Sequence, residues 1–157
     1  MRQLIIARKD LQMSPGKLAS QCCHASVAFL SEIIRDGNIT GADSIGYNEE
    51  KDMDEVVFFF ESEIREDIYE EWLNGTFTKT ICEAKNRNQL MKAVAIADEL
   101  GLKEGQDYFL IKDNCLTELE PEEVGADGIG RTLTCIGFRP LPDDIAHTIS
   151  KKYQLYK

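Results

Sequence analysis

Four short segments of the chain carry the hydrophobic pattern of buried β-strands. Residues 3–7 and 107–113 are largely apolar runs, and residues 78–84 alternate polar with apolar positions and are rich in β-branched side chains. The fourth segment, residues 131–138, is followed by Pro140. Runs and alternations of this length are typical of strands rather than helices. We therefore predict a sheet of four strands.

The clearest helical pattern begins at Ser14, a favourable N-cap residue, and Pro15, which suits the first helical position. Apolar residues then recur at helical spacing and form one core face: Leu18, Cys22, Ala25, Phe29 and Ile33. The helix should end near residue 34 or 35, before the turn sequence DGN. Further helices are predicted over residues 63–75, 86–101 and 143–152. The order of elements indicates an α/β domain whose four-stranded sheet is covered by helices on both faces.

Two segments of the chain lack a clear period. Residues 36–54 are polar and contain glycine, and we interpret them as a loop or an insertion; residues 114–130 read as a loop. Residues 55–60, EVVFFF, fit either a strand or the start of a helix. We therefore expect a single domain over residues 1–157, with an insertion around residues 36–62.

The charge of the chain is strongly acidic but uneven. A net charge of -10 argues against a general nucleic-acid coat protein. Residues 49–71 carry eleven acidic and two basic residues, a net of -9, and residues 104–127 carry eight acidic and one basic residue, a net of -7. Residues 1–24 carry four basic residues and one acidic residue, a net of +3. An acidic protein can thus present a local basic face, although an ordinary solvated surface accounts for the same counts.

The chain shows no sign of export or of a membrane span. No apolar run approaches 18 residues, and the N-terminus has only a short apolar run before charged residues return. The five cysteines include no CxxC pair. We expect reduced thiols in a cytoplasmic protein that does not bind membranes.

The first predicted helix carries an unusual polar stripe. Lys17, Gln21 and His24 stand at positions i, i+4 and i+7 and share one side of the helix, away from its core face. A lysine in the first turn is mildly unfavourable against the helix dipole, and with the free backbone N–H groups it makes an anion site. The alternative is an exposed lysine, glutamine and histidine on a wet surface.

The residue types CCH at positions 22–24 suggest a metal site, but their spacing does not. Consecutive helical residues point about 100° apart, so these three side chains cannot converge on one ion. The other histidine, His147, lies far away in the terminal helix. We predict no metal.

Two further candidate sites lie on the predicted strands. Asp113 stands where an apolar strand runs into a loop, the place where α/β sheets bind ligands, and an aspartate there can act as a general base or orient a lysine. A turn-capping aspartate is the alternative. Thr132 and Thr134 share the last strand, where threonine is usually no more than a β-former.

At these residues the chain resembles the type-2 peptidyl-tRNA hydrolase family, the archaeal and eukaryotic form. The resemblance begins at IIARKDLQMSPGKLASQCCHASVA and resumes at WLNGTFTKTICEAKNRNQLMKAVAIADELGL and YFLIKDNCLTEL. It ends at TLTCIGFRPLPDDIAHTISKKYQLYK, which is nearer to a divergent branch, the peptidyl-tRNA hydrolase domain-containing proteins. The resemblance departs from the family pattern at Pro15, where the family has a basic residue, and at Asn114, Cys115 and Leu116, where it has Ala-Gly-Arg.

The resemblance implies a three-layer α/β/α sandwich with a mixed sheet, often a homodimer. It also implies the roles of several residues: Lys17 matches the catalytic lysine and Asp113 the catalytic aspartate, while Thr117 and Thr134 match two threonines of the site. Gln21 and His24 match the motif that follows the lysine.

We therefore expect a hydrolase that cleaves the ester between peptide and tRNA without metal or cofactor. In the expected mechanism Asp113 orients or deprotonates a water, and Lys17 with nearby backbone N–H groups stabilises the oxyanion. Thr117 and Thr134 position substrate or water. The residues expected to bind peptidyl-tRNA are Gln21, His24, Arg8 and Lys9. The alternative is a non-catalytic RNA- or protein-binding member of the same fold that has lost hydrolase activity.

Overall fold

The computed structural model describes residues 1–157, the whole chain. It contains eight strands, three α-helices and one π-helical segment. The strands are β1 (Arg2–Arg8), β2 (Asn38–Asn48), β3 (Met53–Glu61), β4 (Lys79–Ala84), β5 (Tyr108–Asp113), β6 (Glu123–Val124), β7 (Gly130–Leu141) and β8 (Gln154–Leu155). The helices are α1 (Pro15–Asp36), α2 (Arg87–Glu99) and α3 (Asp143–Ser150), and the π-helical segment is Ile68–Thr76. No helix has the length and apolar composition needed to cross a membrane.

The main sheet is mixed and has six strands in place of the four that we predicted. Its order is β5-β7-β1-β4-β8, with β6 paired to β7. β1 is parallel to β4 and antiparallel to β7, and β5 and β8 join antiparallel at the two ends. The four predicted strands are present. The prediction of four was wrong because β6 and β8 have two residues each, too few to show a period.

Helices cover both faces of this sheet. On one face, Ile5 and Ala7 of β1 pack with Cys22 and Ala25 of α1. On the other face, the intervening β1 residues pack with α2 and α3; this core includes Leu4, Ile6, Leu90, Ala93, Ala97, Ala146 and Ile149. Helix α1 lies very close to β7, since a Cβ atom added at Gly137 would stand 2.4 Å from the backbone oxygen of Ala25. Any side chain at position 137 would push α1 away from the sheet.

Helix α1 begins where its sequence predicts. The Ser14 side chain accepts a hydrogen bond from the backbone N–H of Lys17 at 3.2 Å, and Pro15 is the first helical residue. The predicted core face is confirmed: Cys22, Ala25 and Phe29 are buried, and the residues at its two ends are partly buried.

The segment expected to be a loop or insertion contains a long β-hairpin. β2 and β3 pair antiparallel as a separate two-stranded sheet. The loop prediction for residues 36–54 was wrong for a local reason. β2 contains two register shifts, between Ile39 and Gly41 and between Ser44 and Gly46, and these break the period of two by which a strand is read. β3 resolves the ambiguity of residues 55–60 in favour of a strand.

The helix predicted over residues 63–75 is shorter and irregular. It runs from Ile68 to Thr76 with π-helical turns, and Gly75 has non-helical backbone angles. Its apolar residues still share one face, because Ile68 and Trp72, four positions apart, are buried against Phe29 of α1.

Candidate active site

Lys17 enters the site from the first turn of α1. Its ammonium group lies 2.7 Å from Oδ2 of Asp113, the last residue of β5, and both side chains are largely shielded from solvent. The pair exists because the N-cap at Ser14 starts the helix beside the carboxyl end of β5. The two residues are 96 positions apart in the chain, so only the fold brings them together.

Asp113 is held by three donors. Its Oδ2 accepts hydrogen bonds from Lys17 and, at 2.8 Å, from Nε2 of Gln21, and its Oδ1 accepts the backbone N–H of Cys115 at 2.9 Å. Burial raises the pKa of Asp113, but the bonds from Lys17, Cys115 and Gln21 together lower that pKa below its ordinary value. Asp113 is therefore ionised at neutral pH.

The turn after Asp113 contains a residue with a strained backbone, and this residue helps to hold the Asp113 carboxylate. Cys115 has a φ of 55°, the left-handed region that favours glycine. The family that the chain resembles has glycine at this position. In the same turn the backbone N–H of Cys115 donates to Asp113.

Gln21 and Thr134 form a buried support behind Asp113. The Thr134 hydroxyl donates to Oε1 of Gln21 at 2.6 Å, with the carbonyl oxygen of Ile111 as a second acceptor at 3.0 Å. Occupying Oε1 fixes the amide so that its Nε2 faces Asp113. Gln21 is 2% exposed and Thr134 is 0% exposed. Thr134 does not line the cleft, and Gln21 lines it with almost no exposed surface. This burial favours an indirect positioning role over the expected direct contacts.

Thr117 and His24 lie at the solvent side of the site. The Lys17 ammonium donates to Oγ1 of Thr117 at 3.2 Å. His24 is exposed and makes no hydrogen bond, but it lines the same cleft as Lys17 and Asp113. This cleft has a volume of about 630 Å³. Leu116 projects beside it and is 87% exposed.

The loop that carries Thr117 is tied to its surroundings at several points. Glu118 accepts the backbone N–H of Ser14 at 2.9 Å, which joins the loop to the start of α1. Thr132, fully buried in β7, donates to the carbonyl oxygen of Glu120 at 2.6 Å and accepts the N–H of Glu122 at 3.0 Å. The loop is thus fixed relative to Lys17.

Arg8 does not lie on an exposed basic face. It is 3% exposed, and its guanidinium bonds Asp10, Glu122 at 2.6 and 2.7 Å, and the carbonyl oxygen of Leu133 at 3.0 Å. Burial lowers the pKa of Arg8, but the hydrogen bonds to Glu122 and Asp10 together raise it by more than burial lowers it. The net pKa is above the ordinary value, so the guanidinium stays charged. Contact with a phosphate would require breaking this network. Arg8 instead links the segment before α1, the Thr117 loop and β7.

Lys9 is half-exposed and lies outside the cleft lining. Its ammonium pairs with Glu83 at 3.1 Å, contacts the backbone oxygen of Lys157 and sits 4.4 Å from the centre of the Tyr156 ring. The structure therefore brings Lys17, Gln21, Asp113, Thr117 and Thr134 together, leaves His24 at their edge, and places Arg8 and Lys9 elsewhere.

Comparison with known proteins decides the family. The family model described as peptidyl-tRNA hydrolase PTH2 matches residues 1–156. The chain belongs to the PTH2 family. Peptidyl-tRNA hydrolysis, expected from the resemblance, is confirmed as the activity of the family, and the non-catalytic alternative is not favoured.

Several archaeal peptidyl-tRNA hydrolases are similar to this PTH2 chain. The protein of Methanopyrus kandleri is 32% identical over 130 residues, which cover 82% of this chain and 83% of the relative. The protein of Haloquadratum walsbyi is 27% identical over 156 residues, covering 99% of this chain and 100% of the relative. The protein of Saccharolobus solfataricus is 23% identical over 155 residues, with 99% and 98% covered.

The cysteines of this PTH2 chain behave as their helical spacing predicts. Cys22 is buried and Cys23 is exposed, so the neighbouring side chains diverge. Burial raises the pKa of Cys22 to about 11, which keeps it a neutral thiol. Cys22 is thus a core residue.

Sequence reasoning missed three contributors to the site: Thr132, Glu118 and the buried role of Gln21. Thr132 and Gln21 were both noticed, one as a β-former and the other as part of a polar stripe. Their partners lie far along the chain, so no local signal distinguished a buried polar residue from a surface one. Glu118 stood in a segment with no period, where no signal marked it.

Proposed function

We propose that this PTH2 chain hydrolyses peptidyl-tRNA with Lys17 and Asp113 as its catalytic pair. The observation that carries the proposal is the 2.7 Å contact between the two groups, both of which line the cleft. A cation and a carboxylate placed together at a helix N-terminus can stabilise a developing oxyanion and orient a water, which are the two requirements of ester hydrolysis.

Lys17 stabilises the oxyanion. An ammonium group has three N–H donors, and Asp113 and Thr117 accept two of them, so one can point at the ester carbonyl. The backbone N–H of Gly16 is a second donor at the same helix start. It has no partner, while the N–H of Lys17 is capped by Ser14. The positive end of the helix dipole adds to the field at this point.

Asp113 orients the attacking water and accepts its proton as the new C–O bond forms. Its Oδ1 has a single protein donor, so it retains a lone pair for the water. Because its pKa is lowered, Asp113 is a weak base, and its main contribution is to hold water and Lys17 in place. The acyl C–O bond to the tRNA then breaks, and the 3′ oxygen leaves with the proton that Asp113 took from the water, which returns Asp113 to its carboxylate form. Thr117 holds the ammonium, and Gln21 and Thr134 hold the carboxylate.

Residues other than Lys17 and Asp113 bind the tRNA. His24 lines the cleft and is free to contact the substrate. Lys9 is half-exposed and lies outside the cleft lining, so we propose that it contacts a part of the tRNA outside the cleft. We leave Arg8 out of the substrate contacts because its donors are all used within the protein. Leu116, where the family has arginine, gives the cleft an apolar edge in place of a phosphate-binding one.

The finer expectations of the resemblance complete the proposal. We propose a cytoplasmic homodimer, and the free state of all five cysteines supports a reducing compartment. We propose that residues 36–62 are an insertion into a single domain. The C-terminal sequence supports a place near the divergent peptidyl-tRNA hydrolase domain-containing branch.

The decisive test is peptide release from N-blocked aminoacyl-tRNA by the wild type, Asp113→Asn and Asp144→Asn. Asp144 is an exposed carboxylate of α3 with no side-chain partner, so it is a matched control. We expect Asp113→Asn to lose at least about a hundredfold in rate and the control to lose nothing. An added chelator should leave the wild-type rate unchanged. A wild type that binds tRNA without releasing peptide would support the non-catalytic alternative, and a fully active Asp113→Asn would refute the mechanism.

The same variant checks the ionisation of Asp113. A carboxylate whose pKa is lowered on folding stabilises the protein above its ordinary pKa, and that stability is lost as pH falls through the lowered value. The melting temperature of the wild type should therefore exceed that of Asp113→Asn at neutral pH. The difference should shrink only below about pH 4. A difference that disappears already at pH 6 would contradict the lowered pKa.

A further inference from the structure

Strand β5 is the end strand of the main sheet and has an open edge. β7 pairs with one side of β5, and no strand pairs with the other side. The backbone groups of successive residues in such a strand point alternately to its two sides. The N–H of Arg139 donates to the carbonyl oxygen of Asp107, the residue before β5, at 2.9 Å, so the odd-numbered residues of β5 face β7. The even-numbered residues Tyr108, Leu110 and Lys112 turn their backbone groups toward the open edge.

Only the first of these three outward positions is occupied. The carbonyl oxygen of Tyr108 accepts the N–H of Gly105 at 2.9 Å, and the N–H of Tyr108 donates to the carbonyl oxygen of Lys103 at 3.3 Å. No strand pairs with Leu110 or Lys112 on this side, and no loop backbone bonds them. Two backbone donors and two backbone acceptors are therefore available in a row, as at the edge of a sheet that lacks its next strand.

The open edge borders the cleft and leads to the catalytic pair. Leu110 and Lys112 line the cleft together with His24 of α1. β5 ends at Asp113, whose carboxylate contacts Lys17. At about 3.3 Å for each residue of a strand, the two available positions lie within about 10 Å of Asp113 along β5. A chain laid along this edge would therefore reach the groups that we assign to ester cleavage.

We propose that the open edge of β5 binds the peptide of the substrate as an added parallel strand. The inference rests on the hydrolase function proposed above and assigns the peptide subsite of that site. The last residue of the peptide carries the ester, so it lies at Asp113 and Lys17, and the rest of the peptide extends back past Lys112 and Leu110. The peptide thus runs in the same direction as β5. In strand addition the main-chain hydrogen bonds supply the affinity.

The dimensions of the edge favour a short peptide over a strand of another folded protein. The available stretch has two outward positions, because Tyr108 is already bonded and β5 ends at Asp113. The exposed charge of Lys112 also discourages pairing between whole sheets. A peptide joined to a bound tRNA needs few bonds of its own, since the tRNA raises its effective concentration at the edge.

Recognition through the backbone suits a substrate whose peptide can have many sequences. The amide N–H and C=O groups repeat along the peptide whatever its side chains, and these are the groups that the edge can bond. An aminoacyl-tRNA carries a free amino group in place of the amide. It offers no peptide carbonyl to the N–H of Lys112 or Leu110. The edge therefore favours peptidyl esters over aminoacyl esters.

Peptide release by the full-length wild type tests the inference with two substrates, N-acetyl-alanyl-tRNA and N-acetyl-pentaalanyl-tRNA. We expect kcat/KM to be at least about tenfold higher for the pentapeptide, because each added hydrogen bond contributes about two- to tenfold. Single N-methyl groups are then placed at successive nitrogens of the pentapeptide. Alternate nitrogens of a strand face its neighbour, so methylation should lower kcat/KM at every second position and have little effect between them.

A pair of variants tests the enzyme side of the same contact. Leu110→Pro removes the N–H that faces the open edge without removing a bond to β7, and edge positions of this kind tolerate proline. Leu110→Ala shortens the side chain but keeps the N–H. We expect Leu110→Pro to lower the ratio of the two kcat/KM values at least about threefold, and Leu110→Ala to keep the wild-type ratio. Melting temperatures confirm folding, and if the proline variant does not fold, the N-methyl series on the wild type decides.

The results that would overturn the inference leave the hydrolase function distinguishable from it. N-methylation that acts equally at all positions, or at none, would refute a strand-like peptide, and so would a kcat/KM that is independent of peptide length. Release from N-acetyl-alanyl-tRNA would continue in these cases, and the hydrolase function would stand. Absence of release from both substrates would refute the hydrolase function itself, and the peptide subsite with it.

Discussion

The surroundings of the two ends of helix α1 depart from ordinary burial in opposite ways. At the N-terminal end, polar residues are buried: Gln21 and Thr134 are shielded from solvent and bonded to each other, and Gln21 bonds Asp113. The hairpin that follows the C-terminal end has exposed apolar residues, among them Phe58 at 60% and Phe60 at 45%. Both patterns run against ordinary burial preferences.

The two kinds of region have different requirements: the buried polar residues belong to the candidate active site, and the exposed apolar residues are suited to contact with another molecule. Burying polar groups is unfavourable unless each finds a partner, and no buried side-chain nitrogen or oxygen atom lacks one. The buried polar groups of the site therefore find their hydrogen-bond partners within the same chain. Exposed apolar residues cannot be satisfied within one copy, so they indicate a partner. The two ends should therefore respond differently to substitution.

The largest effect is expected at Lys17. Lys17→Ala removes the oxyanion donor and should lower the rate of peptide release by about 100- to 1,000-fold. Asp113 would keep its bonds from Gln21 and Cys115, so the fold should survive with a melting temperature lower by only a few degrees. Lys151→Ala, at an exposed lysine after α3, is the control. A folded Lys17→Ala protein with full turnover would contradict the assignment.

An intermediate effect is expected at Thr134. Thr134→Val keeps the shape but removes the hydroxyl, so Oε1 of Gln21 loses its short bond and the amide is no longer held toward Asp113. We expect about a tenfold loss in kcat with little change in KM, because Thr134 is buried and cannot touch the substrate. Thr134→Ser restores the hydroxyl and should restore the rate. If serine fails to rescue activity, the residue acts through packing and not through Gln21.

The smallest effect is expected at the hairpin. Phe58→Ser and Phe59→Ser should each change the rate of peptide release by less than about twofold, since the hairpin follows the C-terminal end of α1 and Lys17 lies at its N-terminal end. Steady-state kinetics of peptide release by each variant would measure this. A clearly lower rate in either folded variant would contradict the separation of the hairpin from the active site.

Much of the fold followed from local signals, and the exceptions have identifiable causes. The start of α1, its core face and four strands were predicted because capping and periodicity are properties of neighbouring residues. The hairpin was missed because β2 contains two register shifts, and β6 and β8 because they are too short. The segment Ile68–Thr76 kept its apolar spacing but not regular helical geometry.

The candidate site divides in the same way. Lys17 and Asp113 were identified from their places at a helix start and a strand end, and the resemblance pointed to the same residues. Arg8 and Gln21 were misplaced on the surface. Arg8 carries the charge of a tRNA contact, but its partner Glu122 lies 114 positions away in a loop that shows no pattern.

The sequence by itself determined where α1 begins, which strands are buried and which family the chain resembles, because each of these depends on residues close together or on a motif read in order. The tertiary structure alone decided which polar residues are buried. Gln21 meets Asp113 across 92 positions and Thr134 across 113, and a bond of that span leaves no mark in any local window. It also decided that β2 and β3 stand apart from the main sheet, since both strands contain apolar residues suited to a core and only the arrangement of the other elements leaves them uncovered.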